Sequence, residues 1–472
     1  MITFIIALGI LILGYFIYGG FINRMFGADP KRVTPAISNN DGIDYVPMPT
    51  WKIFMIQFLN IAGLGPIFGA IMGAKFGMSS YLWIVFGTVF AGAVHDYLSG
   101  MISLRDGGIS LPMIIGKYLG TKVEKVMTVF TMLLMLLVGA VFISQPADLL
   151  EKLTPDFFNV YFWIIMIFVY YFIASIFPID KIIGKIYPVF AAALLFMALG
   201  ILIMLFVKWP ALPEVWDGLG NTYESNPIFP MMFISIACGA ISGFHATQSP
   251  LMARCIKNEK YGRPVFYGAM VAEGIVALIW AAAATCYFGE NGVGNSASVV
   301  VMDISKDWLG YFGGILAVLG VIAAPITSGD TALRSARLIL ADFFHMEQKS
   351  VKNRLLLCVP IMLVVTGILI FSIVSQDGFN IIWRYFSWLN QVLSVFTLWA
   401  ITVYLVRNNK NYFVTMIPAL FMTCVTMTYI CIAPEGFHLN PVLSYIIAGV
   451  ITIGMMVLFA VKIKRIKSDV LS

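Results

Sequence analysis

Asn60-Ile-Ala-Gly63-Leu-Gly65-Pro66 lies in the middle of one long apolar run, and Cys238-Gly239-Ala-Ile-Ser242-Gly243-Phe244-His245 lies in the middle of another. Glycine is disfavoured inside a helix on entropic grounds, and proline lacks the backbone N–H that a helix interior needs. Both runs are therefore expected to unwind partway along. Around them, the chain of 472 residues is 60% hydrophobic and 11% charged, with a mean hydropathy of +0.90. An ordinary globular domain is about a quarter charged. So small a supply of charge cannot keep a folded surface in water, and the lipid bilayer is the expected solvent. The same composition excludes a soluble metabolic enzyme, a nucleic-acid reader and a disordered regulator.

A helix needs about 20 apolar residues to cross the hydrocarbon layer. About thirteen such runs fall near residues 2–22, 53–78, 80–104, 123–144, 159–178, 187–207, 229–252, 265–288, 309–333, 355–375, 380–406, 412–433 and 439–461. The stretches between them are too short for a soluble domain, so residues 1–472 read as one all-α polytopic membrane unit. The run at 2–22 has no basic residue before it and no small-residue cleavage pattern after it, and is read as a retained helix rather than a signal peptide. Six cysteines without C-x-x-C spacing are read as small buried hydrophobes.

Unwound backbone at membrane depth is tolerated only where protein or a hydrated cavity satisfies its polar groups. The two interruptions are five runs apart, an odd number, so the two helices cross the membrane in opposite directions. Matched interruptions in two inverted halves point to the binding site of a secondary transporter. Residues 53–208 and 229–407 then form two inverted repeats of five helices, a leucine-transporter-type arrangement with broken helices 2 and 7. The run at 2–22 precedes them, and two helices in 412–462 follow. Half-helix N-termini offer free N–H groups to a carboxylate, and carbonyl ends suit Na⁺ or a proton-bearing water. The substrate-binding candidates are Asn60, Gly63, Gly65, Ser242, Gly243 and His245, and the ligand class is an anionic or zwitterionic small molecule.

Positively charged loops resist translocation. If the first helix enters from outside, 25 of the 30 lysines and arginines fall in cytoplasmic stretches, Lys181 among them. The opposite side collects acids such as Glu214, Glu224, Asp377 and Glu435. This orientation puts the N-terminus outside and the C-terminus in the cytoplasm, in a cell (inner) membrane.

Ionisable groups inside apolar runs are functional candidates by default. His95 and Asp96 are adjacent on one helix, about 100° apart, and different partners are expected for them. His245 lies in the second interruption, where an imidazole can bind a carboxylate or carry a coupling proton. Glu273 reads as a proton carrier or as the partner of a buried hydroxyl. Asp330 and Arg334 are four residues apart and are expected to pair. Thr327, Ser328 and Thr331 add oxygens of the kind hard cations prefer. The ion- or proton-coupling candidates are thus His95, Asp96, Glu273, Thr327, Ser328 and Asp330. Arg384 is expected to snorkel to the outer surface, Asn390 and Gln391 receive no chemistry, and the stretches Met132 to Leu137 and Phe168 to Phe172 read as packing or lipid-facing surface.

Asn40-Asp41-Gly-Ile-Asp44-Tyr45-Val46-Pro47, Ile61-Ala-Gly-Leu-Gly-Pro66, Gly92-Ala-Val-His-Asp96, Arg105-Asp-Gly107, Ile236-Ala-Cys-Gly-Ala-Ile-Ser-Gly-Phe-His-Ala246 and Thr327-x-x-Asp330-x-x-x-Arg334-x-Ala-Arg337 occur in order between about residues 30 and 400. Together they resemble the carbon starvation protein A (CstA) family. The resemblance implies peptide transport induced on carbon starvation or, as in some members, proton-coupled pyruvate uptake, on an amino acid–polyamine–organocation-type core. It also implies a sodium site between the first broken helix, near Asn60 to Gly63, and Thr327, Ser328 and Asp330. The chain differs from the long members in being shorter and in reading Thr247-Gln-Ser-Pro250 after His245.

The expected function is secondary active import of a peptide or small carboxylate such as pyruvate, coupled to H⁺ or Na⁺, with no cofactor, no resident metal and no enzymatic activity. Two alternatives differ in class. One is a passive channel. The other is an intramembrane metal-dependent hydrolase built from His95, Asp96, His245 and Glu273, for which no H-E-x-x-H pair is present.

Overall fold

In the computed structural model, which describes residues 1–177, 183–221, 226–375 and 378–471, all thirteen apolar runs are helical. Lys181, Glu224 and Asp377 lie outside the described residues. Among the described residues, ten helices are long and apolar enough to cross a membrane. They are α1 (Ile2–Phe26), α3 (Ser79–Arg105), α4 (Thr121–Leu153), α6 (Tyr187–Lys208), α8 (Glu259–Asn291), α9 (Gly313–Phe344), α10 (Val351–Val374), α11 (Ile381–Arg407), α12 (Phe413–Ile432) and α13 (Pro441–Ile463). An eleventh span is the bent pair α2a (Thr50–Ile61) and α2b (Gly65–Ala74), whose halves meet at 54°. The thirteen expected runs exceed this count for two local reasons. The fifth run, α5 (Val160–Ile176), has 17 residues, short of the about 20 that cross a full hydrocarbon layer, and the seventh is broken into pieces too short to cross.

The seventh run is helical up to Ser235, irregular from residues 236 to 242, and helical again as α7b (Gly243–Ala253). Both breaks follow from sequence. Pro66 sits in the first turn of α2b, where its missing N–H leaves no bond unmade. Gly243 opens α7b beside α11, where a Cβ would lie 2.4 Å from the Asn390 carbonyl oxygen.

Helices α2, α3, α7b and α8 pack on one another, and α4, α5, α9 and α10 form a second group against them. Each group thus combines two helices with the two that lie five runs later. Helix α11 closes one side of the junction, and α12 and α13 pack outside α11. At the other end of the chain, Glu214 accepts from the N-terminal ammonium at 2.6 Å and from the Thr3 N–H at 2.7 Å. The start of α1 therefore lies on the same side as the loop after α6, as the crossing order requires.

Candidate coupling and binding site

The two breaks touch. A Cβ on Gly65 would lie 2.0 Å from the Cys238 Cβ, and one on Gly63 would lie 2.7 Å from the Phe142 ring and 3.1 Å from the Ser328 hydroxyl. These glycines let α2 approach the break of the seventh run, α4 and α9 more closely than any side chain permits. Beside them, Asn60 and Gln57 are fully buried, and neither side-chain amide atom of either residue has a hydrogen-bond partner among the described residues. A buried polar group left unpaired costs about 1–3 kcal/mol. Two unsatisfied amides on one half-helix make this a part of the core that a polar ligand would satisfy.

Under the second break lies a buried chain of four titratable groups. Asp96 on α3 accepts from His95 Nδ1 through Oδ1 at 2.8 Å and from His245 Nδ1 through Oδ2 at 2.9 Å. The opposite nitrogen of His245, Nε2, lies 3.5 Å from Glu273 Oε2 on α8, an ion-pair contact longer than a hydrogen bond. All four residues have zero exposure. The expectation of separate partners for His95 and Asp96 is overturned. Both side chains bend across the arc between them, because in a dry interior the carboxylate is the acceptor at hand for a buried imidazole N–H.

An ionised carboxylate only accepts, so both Nδ1 atoms carry protons. Nε2 of His245 faces Glu273, and a proton passed between these two side chains leaves the charge of the pair unchanged.

The second break is tied down by side chains. Asn390 Oδ1 accepts from the Phe244 N–H at 2.7 Å and from the Ser242 hydroxyl at 3.0 Å. Gln391 donates to the Ile241 carbonyl and Thr88 to the Gly239 carbonyl, both at 3.1 Å. The free N–H groups expected at this half-helix start are therefore already used at Phe244, and Ser242 is engaged with the same amide. Asn390 and Gln391, which the sequence left without a role, hold the break in place.

The Asp330–Arg334 pair does not form. Asp330 instead accepts from Tyr170 at 2.6 Å and from Tyr187, and Tyr187 also lies 2.6 Å from the Thr327 carbonyl oxygen. Tyr170 belongs to a stretch expected to be mere packing surface. Thr327 spends its hydroxyl on the Ala324 carbonyl at 2.8 Å, while the Ser328 hydroxyl donates to Leu59 O at the end of α2a, also at 2.8 Å. Of the three oxygen-bearing candidates on α9, Ser328 alone is seen to bond the first broken helix. Among the described residues, no group of three or more His, Cys, Asp or Glu side chains is arranged to hold a metal ion.

Arg334 goes elsewhere, to a site the sequence did not single out. It donates to Asp44 Oδ1 at 3.0 Å, and Arg337 donates to both Asp44 oxygens at 3.0 and 2.9 Å. Burial by itself would raise the Asp44 carboxyl, but Arg337 and Arg334 together hold it below the usual carboxylate range. Neighbouring Tyr45 donates to Gly107 O at 3.1 Å, and Met48 N–H donates to Cys255 O at 3.2 Å. The segment 39–49 is thus clamped across α9, α3 and α7b. At the other end of the helices, a cavity of about 630 Å³ opens between α2b, α4 and α11, lined by Phe68, Lys75, Asp148 and Trp383 among others.

Comparison with known proteins agrees with this architecture. The family model described as carbon starvation protein CstA matches residues 1–162, 156–305 and 289–429. A Haemophilus influenzae membrane protein is 44% identical over 331 residues, covering 59% of this chain and 89% of its own. The peptide transporter CstA of Escherichia coli is 25% identical over 563 residues, covering 89% of this chain and 79% of its own. The pyruvate/proton symporter BtsT of the same organism is 28% identical over 355 residues, covering 60% of this chain and 49% of its own. Among solved structures, an Eremococcus coleocola manganese transporter superposes with a TM-score of 0.58 at 12% identity, covering 90% of this chain and 99% of its own. MhsT in complex with L-phenylalanine gives 0.57 at 14%, covering 86% of this chain and 98% of its own. These two likenesses carry the fold, which is that of the leucine-transporter type. With the sequence model matched along most of its length, the chain belongs to the carbon starvation protein CstA family.

Proposed function

We propose that this protein is a secondary active transporter that brings a small carboxylate-bearing nutrient, a peptide or a pyruvate-like acid, into the cell by alternating access coupled to protons. The observation that carries this reading is the buried His95–Asp96–His245–Glu273 chain, in which His245 bridges Asp96 and Glu273 next to a broken helix. A dry interior stabilises such a charge arrangement only when every member is paired, so taking up or losing a proton there favours one arrangement of the surrounding helices over another. Asn60, Gln57 and the backbone around Gly63 supply polar groups for the cargo. The cavity of about 630 Å³ serves as its entrance from outside, and the Asp44 clamp closes the cytoplasmic side in this state. The orientation follows the basic loops, with the N-terminus outside and the C-terminus in the cytoplasm of an inner membrane.

Relatives named for peptide transport and for pyruvate/proton symport support both cargo classes. Sodium is the second reading for the driving ion, favoured by the Ser328 hydroxyl on the Leu59 carbonyl beside Gly63.

Reconstituted proteoliposomes test the proposal. Labelled peptides, amino acids and pyruvate are offered with a proton gradient or a sodium gradient imposed separately. Concentrative uptake of one class under the proton gradient is expected. Equal flux of all classes without any gradient overturns the coupling, and electrical conductance without accumulation favours a channel.

A further inference from the structure

On the side that the basic loops assign to the cytoplasm, a cavity of about 560 Å³ lies between α11, α13 and the short helix Leu111–Leu119. Its wall has a regular order. On α11, Phe396, Trp399, Val403 and Arg407 follow one another at helical spacing on one face, three apolar residues and then a cation. On α13, Met455, Phe459 and Lys462 repeat the pattern, again with the cation last. Trp399 and Phe459 join the two stripes, their rings 5.5 Å apart. The third cation, Lys117, comes from the short helix.

The mouth of the cavity is therefore basic and its depth apolar. Lys117, Arg407 and Lys462 are all exposed there. Arg407 is held in position by an N–H on the Lys117 carbonyl at 3.3 Å and by the Tyr118 ring at 5.5 Å. Lys117 also pairs with Asp106 at 2.7 Å, behind the mouth. No acidic residue is among the described residues lining the cavity. The eleven helical steps from Phe396 to Arg407 rise about 16 Å at 1.5 Å per residue, close to half of a hydrocarbon core about 30 Å thick. The stripe is one leaflet deep.

We propose that this cavity is a binding site for an anionic phospholipid of the cytoplasmic leaflet, with the headgroup phosphate on Lys117, Arg407 and Lys462 and an acyl chain along the apolar stripes of α11 and α13. Charge and depth match that occupant. Basic pockets between membrane helices attract anionic headgroups, and a zwitterionic lipid gains less from a mouth where three cations meet one acid, Asp106. The lipid would fasten α13, which touches the core along few residues, to α11, one of the two helices flanking the candidate coupling site. The inference does not depend on what the protein carries.

The test titrates the purified full chain in neutral detergent with phosphatidylglycerol, phosphatidylcholine, inorganic phosphate or glycerol 3-phosphate. Binding is read by thermal unfolding and by lipid retention in native mass spectrometry. Phosphatidylglycerol is expected to protect, and the other three are not. Each of Lys117→Gln, Arg407→Gln and Lys462→Gln should weaken its binding about fivefold, and the triple variant about a hundredfold. Arg407→Lys should retain most of the affinity, and the pair Lys349→Gln and Lys352→Gln, exposed cations elsewhere in the chain, should leave it unchanged. Equal protection by phosphatidylcholine would reduce the site to ordinary boundary lipid. Equal protection by inorganic phosphate would make it an ion site only. Wild-type affinity in the triple variant overturns the proposal outright.

Discussion

The two broken helices differ in how their breaks are satisfied. The second break, residues 236–242, is held by three side chains from neighbouring helices: Asn390, Gln391 and Thr88 take up amide and carbonyl groups that the missing turns would have paired. The first break is shorter and bends by 54°, and the amides of Gln57 and Asn60 beside it have no partners among the described residues. The second break is tied by these three side chains, whereas the first has one, Ser328 on the Leu59 carbonyl, and keeps two unpaired amides beside it. A rigid second break suits a residue that must keep its geometry, His245, while an open first break suits a cargo that arrives and leaves. The two interruptions are thus alike in sequence and unlike in how side chains satisfy them.

The largest effect expected from breaking this contrast is at His245. Its replacement by alanine should abolish uptake in proteoliposomes, since it removes the one imidazole that touches both Asp96 and Glu273, and unchanged kinetics would remove His245 from the mechanism. Asp44→Asn comes next. It leaves Arg334 and Arg337 buried without their carboxylate, for which a loss of about 3–5 kcal/mol is expected, visible as a lowered melting temperature in detergent. The pH dependence of the same clamp has a definite sign. The Asp44 carboxyl is held below its unfolded value, so the clamp's contribution is complete at neutral pH. It is lost only as pH falls through the lowered value. Alkylation of Cys255, buried under the clamped segment, should stay slow down to acid pH in the wild type and become fast at neutral pH in Asp44→Asn.

The contrast itself is sharpened by a pair of smaller substitutions. Asn390→Ala should destabilise by about 2 kcal/mol, because a buried amide N–H and the Ser242 hydroxyl lose their acceptor. Asn60→Ala should cost no more than about 0.5 kcal/mol, since it removes no bond within the protein, yet should raise KM for the cargo severalfold. Equal destabilisation by the two would show that the breaks are alike after all. The smallest effect is expected at Ser328→Ala, about 1 kcal/mol for one hydroxyl-to-carbonyl bond. Any stimulation of uptake by sodium should vanish with it.

The parts of this architecture that were legible in the sequence are those written locally. A run of apolar residues of spanning length, and glycines with a proline in its middle, are properties of a short window, so the thirteen helical runs and both breaks could be placed without knowing what they touch. Pairings between distant helices could not. Asp330 looked committed to Arg334 because they share a helix face, but Tyr170 and Tyr187 approach from α5 and α6, and their hydroxyls were hidden inside runs dominated by aromatic and aliphatic residues. The neighbours His95 and Asp96 looked divergent because helical geometry fixes where side chains start, whereas their flexible ends met. Asn390 looked like ordinary interior polarity until Phe244 appeared opposite it. The motif containing Asp44 was visible as a motif, but its partners lie 290 and 293 residues away.

That separation has a consequence for how the protein is made. Asp44 sits ahead of α2, while the arginines that receive it enter the membrane with α9, after most of the chain has left the ribosome. Until then, the segment carrying Asp44 has nothing to close against. The clamp is therefore a contact that a nascent chain forms late, and its closure would report that insertion has reached the ninth helix in the correct orientation.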